Sequence, residues 1–366
     1  MAANGGSKAG PERRGTRLPR ATAVLLAVVG AVAVASGVSG AQAPLTTNDV
    51  TTLLQSRAGF SPDDIATLTS GGVAVHSEAS TEDLEAVVVA AVQVRTTIDR
   101  AVSYFRQLVS FEDGEVTLRF GLFGKPPRPD DLARAALDED TLDDLKACRP
   151  GDCGVRIGTK NVAEIGQAVD WRAGDAAERA AGWARQALAA YAADYLARGD
   201  DALVTYDDQS KPVSLKETWR AIVDRSATLA EYAPALQRHL TGFPAVALPG
   251  ATDELYWYQE HYTSLKTVTG VTHLVTWHDP QRPDRAVVAQ KQIYASHYYY
   301  GSLAVTLFLQ DARDAQHPVT WVVYFNRSRG DLLKGGFGGL KRRLAESMIK
   351  DSAEAMLGAI KRELEK

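Results

Sequence analysis

The chain has 366 residues, 45% of them hydrophobic and 23% charged, a composition that fits one large globular domain or two ordinary ones. Its formal net charge is −4; Lys8, Arg13, Arg14, Arg17 and Arg20 against Glu12 make the first 43 residues basic, so the remainder is more acidic than the total. An acidic body without a basic stripe excludes nucleic acid as the main partner.

The N-terminus has the pattern of an export signal. A basic segment ends at Arg20, and the run from Ala21 to Val38, ATAVLLAVVGAVAVASGV, carries no charge. Ala41-Gln42-Ala43 has the small-x-small form that a signal peptidase reads; Pro44 would follow that cut, so Ala33-Val34-Ala35 is the alternative. The run is nearly long enough to span a bilayer, which leaves an uncleaved anchor as the second expectation. Residues 1–43 are thus a signal peptide or an N-terminal anchor. The protein is expected to be exported, periplasmic or secreted, and to meet a membrane only through that segment if it stays uncleaved.

Residues 44–79 read as a helical segment, NDVTTLLQSRAGF followed by a helix begun by Ser61-Pro62-Asp63-Asp64 and stopped by Gly71-Gly72. Residues 80–366 read as a single α+β domain. EAVVVAAVQV, 85–94, is a strand that feeds a helix over 96–111 with apolar spacing at Ile98, Val102 and Phe105. VTLRFGLF, 116–123, is another strand, and short helices then lead to ACRPGDC. Cys148 and Cys153 are the only cysteines, without metal-site spacing or a following histidine, so in an exported protein they read as a disulfide around a Pro-Gly turn. GVRIG after them reads as a short strand. Residues 172–242 form a helical insertion in which Ala180, Trp183, Ala187, Tyr191 and Tyr195 recur at helical spacing, as core positions do.

The last third alternates. Strands are expected at 255–259, 271–277, 286–298, 302–309 and 319–325, joined by short turn-like links that favour an antiparallel meander. A long helix closes the chain, with a stripe at Leu340, Leu344, Met348, Ile349, Ala353, Met356, Ile360 and Leu364. A hairpin hinged at Tyr300-Gly301 sets Tyr298 opposite Leu303 and Tyr294 opposite Leu307, and the next turn sets Leu307 opposite Trp321. One face then carries Gln290, Gln292, Tyr294, Ser296 and Tyr298 with Leu303, Val305, Leu307, Trp321, Val323 and Phe325. The terminal helix is its expected lid. The other face carries Lys291, His297 and His273, so Ser296 and His297 point apart and no Ser-His dyad is expected.

Tyr294, Ser296, Tyr298 and Trp321 are the candidate ligand residues. Buried hydroxyls need partners, and these either bond within a packed core or orient an apolar ligand in a cavity. No metal site is expected, because no two of the seven histidines make an HxxxH or HExxH pair. GGFGG, 335–339, lacks the Lys-Ser or Lys-Thr of a phosphate loop, and no cofactor is indicated. There is no GxSxG and no thiol outside the expected disulfide.

At ACRPGDC, KQIYASHYYYGSLAVT and YFNRSRGDLL the chain resembles a family of exported bacterial proteins, a likeness that carries no activity with it. In element order it is remotely similar to the helix-grip fold of START and related lipid-binding proteins, with the block at 172–242 as an insertion that those folds do not normally have. The resulting expectation is an exported, non-enzymatic protein that binds a lipid-like or other hydrophobic small molecule. The alternatives are an enzyme using His297 and His273 with Lys291, and a ligand-free structural component of the cell envelope.

Overall fold

Two reciprocally capped helices open the described chain. In α1 (Thr47–Arg57) Thr46 and Asp49 exchange hydrogen bonds, and in α2 (Pro62–Thr69) Ser61 and Asp64 do the same. The computed structural model describes residues 46–366 apart from 79, 81, 83, 112–116, 262–264, 312–315 and 332–337. The expected signal or anchor and most of the GGFGG loop therefore lie outside the described residues.

β1 (Val73–Glu78), β2 (Glu85–Val94), α3 (Ile98–Phe111) and β3 (Thr117–Leu122) follow. Then come α4 (Glu139–Ala147), α5 (Thr159–Ala168), α6 (Ala176–Arg198), the two-residue strands β4 (Thr205–Tyr206) and β5 (Val213–Ser214), and α7 (Leu215–Asp224), α8 (Ala227–Tyr232) and α9 (Pro234–Gly242). The last third supplies β6 (Ala251–Glu260), β7 (Val268–His278), β8 (Arg285–Ala295), β9 (Tyr299–Asp311), β10 (Val319–Gly330) and α10 (Gly338–Leu364). The fold is α+β. An eight-stranded antiparallel sheet runs in the order β1-β2-β10-β9-β8-β7-β6-β3, so β6 to β10 are a true meander and β3 and β1 form its edges. β1 extends the sheet from within the segment read as purely helical, because its alternation is short and only Ala74 is buried.

Both sheet faces are covered. Val92, Phe308 and Val322 pack under α3 and α10, which contribute Phe105 and the stripe Ala353, Leu357, Ile360 and Leu364. Leu303, Leu307, Trp321 and Val323 pack instead under α1 and the helical block, through Leu54, Tyr195, Trp219 and Leu236. This corrects the expected lid. The terminal helix covers the face opposite Trp321, and the block at 172–242 is the roof over it, which makes that block half of the main core. A third apolar cluster joins Leu145, Val155, Ile157 and Ile165 beside Cys148.

The meander's register also differs from expectation. Leu307 lies opposite Val323, two residues from the expected partner, and an even slip keeps the faces. Between β8 and β9 the slip is odd. Lys291 lies opposite Leu303, so Lys291 and its β7 neighbour His273 share the Trp321 face, while Gln290 and Gln292 turn to the other, bonding Tyr256 and Tyr258. A register shift at Val271/Thr272 then returns Tyr294 to the expected face, opposite Val271. The cause lies at the hinge. β8 and β9 pair only from Lys291 and Leu303 onward, and their ends splay apart beyond that point. The GVRIG segment is not a strand. It lies in the splay, where Arg156 N–H donates to Ser296 O (2.8 Å), the Arg156 guanidinium donates to Tyr299 O, and Tyr294 Oη donates to Arg156 O (3.0 Å).

Candidate functional site

Filling a splayed sheet end with chain leaves space behind it. Among the described residues, a cavity with about 820 Å³ of free space, counting its opening to solvent, lies between the sheet end and α6. Gln259 of β6, Thr269 of β7, Tyr294 of β8 and Ser296 form its sheet side. Ala181, Ala184, Ala187 and Leu188 face it from α6, and Leu145, Val155 and Ile157 close one flank. The alanine repeat is what opens the space. Helix α6 must approach the sheet to bury Ala189, Ala192 and Tyr195, yet one turn earlier its small side chains stop short of filling the gap.

The disulfide holds the flank. Cys148 and Cys153 are bonded, as read, around a turn in which Arg149 and Asp152 pair through the backbone. The next residues, Val155 to Ile157, are the cavity wall. Arg156 is locked there by Asp208 (3.6 Å) and Asp331 (2.5 Å) and by the Tyr300 ring, 4.2 Å from the guanidinium carbon.

The polar groups on the sheet side of the cavity are all engaged with protein. Gln259 donates to Ala136 O (2.7 Å) and to Thr269 Oγ1 (3.0 Å), and accepts from Ala136 N–H (3.1 Å). Tyr191 Oη donates to Ile293 O (2.5 Å), and burial pushes its pKa well up, as it does for Tyr294. Ser296 Oγ accepts Thr269 N–H (2.8 Å) and is hydrogen-bonded to His297 Nδ1 (2.9 Å). The last contact corrects the expectation that Ser296 and His297 point apart. β8 has ended at Ala295, so strand alternation no longer applies.

Of the four candidate ligand residues, the structure brings Tyr294 and Ser296 to this cavity. Trp321 is fully buried in the core under the helical block. Tyr298 sits in the left-handed region at φ 60°, a conformation rare for an aromatic residue, and its hydroxyl accepts Lys266 N–H (2.7 Å) away from the cavity. The two hydroxyls that do reach the cavity are core-bonded groups in a cavity wall, so the opening alternatives of core and wall both hold for them.

The histidines of the enzyme alternative fall into two separate networks. His297 Nε2 stands 3.6 Å from Asp144, beyond hydrogen-bond length, and Asp144 is held by Lys266 (2.5 Å). Burial lowers the His297 pKa more than Asp144 raises it. His273 is fully buried elsewhere, under α6 and α9, where its Nδ1 meets Tyr195 Oη (2.9 Å) and its Nε2 meets Asp253 Oδ1 (2.8 Å). Burial lowers its pKa as well, which fits a neutral ring that accepts from Tyr195 and donates to Asp253. His239 Nε2 reaches the same Asp253 oxygen (2.8 Å); burial raises the Asp253 pKa, but the two histidine bonds outweigh it and the net shift is down. Lys291 lies alongside, paired with Asp200, donating to Leu240 O (3.1 Å) and 4.3 Å from the Trp219 ring centre. Burial lowers its pKa to about 8 against the pull of Asp200. None of these three residues lines the cavity. Their geometry staples α6 and α9 to the sheet, and among the described residues no group of three His, Cys, Asp or Glu side chains is placed to hold a metal ion.

Sequence reasoning missed the roles of Asp144 and Asp200, which come from outside the strands, and of Asp253, which lies in β6 ahead of the strand expected at 255–259, and it missed the alanine face of α6. Ala181, Ala184 and Ala187 were visible as spaced small residues, but spacing alone does not separate a tight helix contact from an open one.

Comparison with protein-family models, with curated proteins and with solved structures returns no match for this chain.

Proposed function

We propose that the chain is an exported, non-catalytic binding protein for a hydrophobic small molecule of lipid type, held in the cavity beneath α6. The observation that carries this reading is the cavity itself. Its walls are apolar, and the polar groups on its sheet side are bonded to protein, so an apolar guest strips no hydrogen bond from them. The uncharged run Ala21 to Val38 behind Arg20 supports export. The engagement of Ser296 with both Thr269 and His297 favours binding over catalysis by that hydroxyl.

Native mass spectrometry of the protein purified from the exported fraction, before and after organic extraction, tests this. The expected result is added mass that extraction removes and that returns on incubation with a lipid extract. A bare chain mass throughout, with no uptake, would overturn the reading.

A further inference from the structure

Helix α6 carries three arginines, and two are neutralised in the same way. Arg179 Nε bonds Asp175 at 2.8 Å, and Arg198 Nε bonds Asp194 at 2.6 Å, in each case four residues earlier. Arg185 breaks the pattern. The residue four before it is Ala181, and both line the cavity. Its other helical neighbours, Gly182, Leu188 and Ala189, offer no carboxylate either. Arg185 is half-buried, and among the described residues it has no hydrogen-bond or ion-pair partner and is the cavity's only charged lining residue.

Three acids of the flanking segments are engaged elsewhere. Glu164 pairs with Lys160, Asp144 with Lys266, and Asp207 with Thr159. Asn161, in the first turn of α5, also lines the cavity, and its side-chain amide has no partner among the described residues. The sheet side contrasts with this, since Gln259 Nε2 and Tyr294 Oη donate to protein oxygens, Thr269 Oγ1 accepts from Gln259, and Ser296 Oγ is bonded to Thr269 N–H and His297 Nδ1. The cavity therefore has a mostly apolar interior, whose sheet-side polar groups are bonded to protein, and a helical rim with an unmatched cation and an unmatched amide.

We infer that the ligand is an amphiphile with an anionic head group, a carboxylate or a phosphate, whose apolar chain occupies the cavity while its head bonds Arg185, with Asn161 as a second donor. A guanidinium presents a planar fork that matches either oxyanion, and an anion that meets it at a partly desolvated rim gains a charge-assisted hydrogen bond. An apolar tail alone makes no use of Arg185. This rests on the cavity being a ligand site, and the test separates the two claims.

Decanoate, decyl phosphate and decan-1-ol are titrated by calorimetry, below their aggregation limits, into the intact protein and into Arg185→Gln and Arg185→Lys. Arg185 is partly exposed and unpaired, so the variants are expected to fold, and circular dichroism checks this. The expected result is that the wild type binds one or both anions about tenfold more tightly than the alcohol. Arg185→Gln should lose that preference while still binding the alcohol, and Arg185→Lys should keep part of it. Raising the salt concentration should narrow the preference in the wild type and in Arg185→Lys, and leave Arg185→Gln unchanged. The stronger of the two anions names the head group, and either supports the inference. Equal binding of acid and alcohol by the wild type, or a preference that survives Arg185→Gln, would overturn the head-group inference and leave the cavity reading standing. No binding of any of the three would overturn both.

Discussion

Ser296 Oγ hydrogen-bonds Nδ1 of its chain neighbour His297 at 2.9 Å, across a point where the strand has already ended. With Asp144 beyond the ring, this looks like the start of a catalytic relay. The remaining geometry does not complete it. The serine oxygen also takes the Thr269 N–H, the His297–Asp144 distance is 3.6 Å, and Asp144 serves Lys266. An activated nucleophile needs its base in turn oriented by a third group at hydrogen-bond reach. The expected outcome of incubation with a fluorophosphonate is an unchanged intact mass. A covalent adduct on Ser296 would make the protein a serine hydrolase.

Tyr294→Phe removes a hydroxyl that serves the fold. Its bond to Arg156 O ties the segment after the disulfide to β8. The variant should lose about 1 kcal/mol of stability, somewhat more because the Arg156 carbonyl is left short of a partner. Its affinity for decanoate should stay within about twofold of wild type. Chemical denaturation and calorimetry on the same sample check both. An undiminished stability with a large loss of affinity would mean that the hydroxyl faces the ligand.

Lys291 gives the protein a distinctive alkaline response. Burial lowers its folded-state pKa from 10.5 to about 8. Between those values the unfolded chain binds the extra proton, so stability rises with pH across that window, and the cost of holding the cation is fully felt below it. Lys291→Met removes the effect. The stability of wild type relative to the variant should therefore increase from pH 8 towards pH 10, by an amount on the order of 2 kcal/mol. The comparison must be between the two proteins, because tyrosines such as Tyr206, pushed up to about 12 by burial, oppose the trend above pH 10. Urea denaturation at a series of pH values reads the difference directly. A difference that is flat with pH would mean that Lys291 keeps an ordinary pKa.

The disulfide should matter to the cavity more than to the fold. Cys148 and Cys153 are separated by 5 positions, a short loop whose closure stabilises by about 2 kcal/mol in the chain-entropy account. Replacing both with serine should lower stability by about that amount. It should also weaken decanoate binding, because Val155 and Ile157 of the cavity flank follow directly. Reduction of the wild type should reproduce both changes. Lost stability with unaltered binding would uncouple the disulfide from the site.

The legible parts of this fold were those with local signals. Ser61-Pro62-Asp63-Asp64 marked a helix start, the run at 85–94 marked a buried strand, and the Pro-Gly turn marked the disulfide. The meander was readable because each strand is an apolar, β-branched and aromatic run and each link is short and turn-like. What failed was pairing. The hinge was placed at Tyr300-Gly301, whereas the chain turns through Tyr298 and the strand ends separate to admit Arg156. An intruding segment from more than a hundred residues away leaves no mark in the hairpin's own sequence. One odd slip then moved Lys291 and His273 to the other face, and the choice of lid went wrong as well. Both sheet faces are apolar enough to need a helix, and the helical stripes alone do not say which covers which.

The central claim is that the space beneath α6 holds an apolar ligand, and filling that space tests it most directly. Ala187→Phe places a large side chain where the helix now leaves a gap. Calorimetric titration of decanoate into wild type and variant, with Tm measured on both, should show binding to the wild type and at least about tenfold weaker binding to the variant, at an unchanged or higher Tm. Equal binding to both proteins, or none to the wild type, would contradict the account.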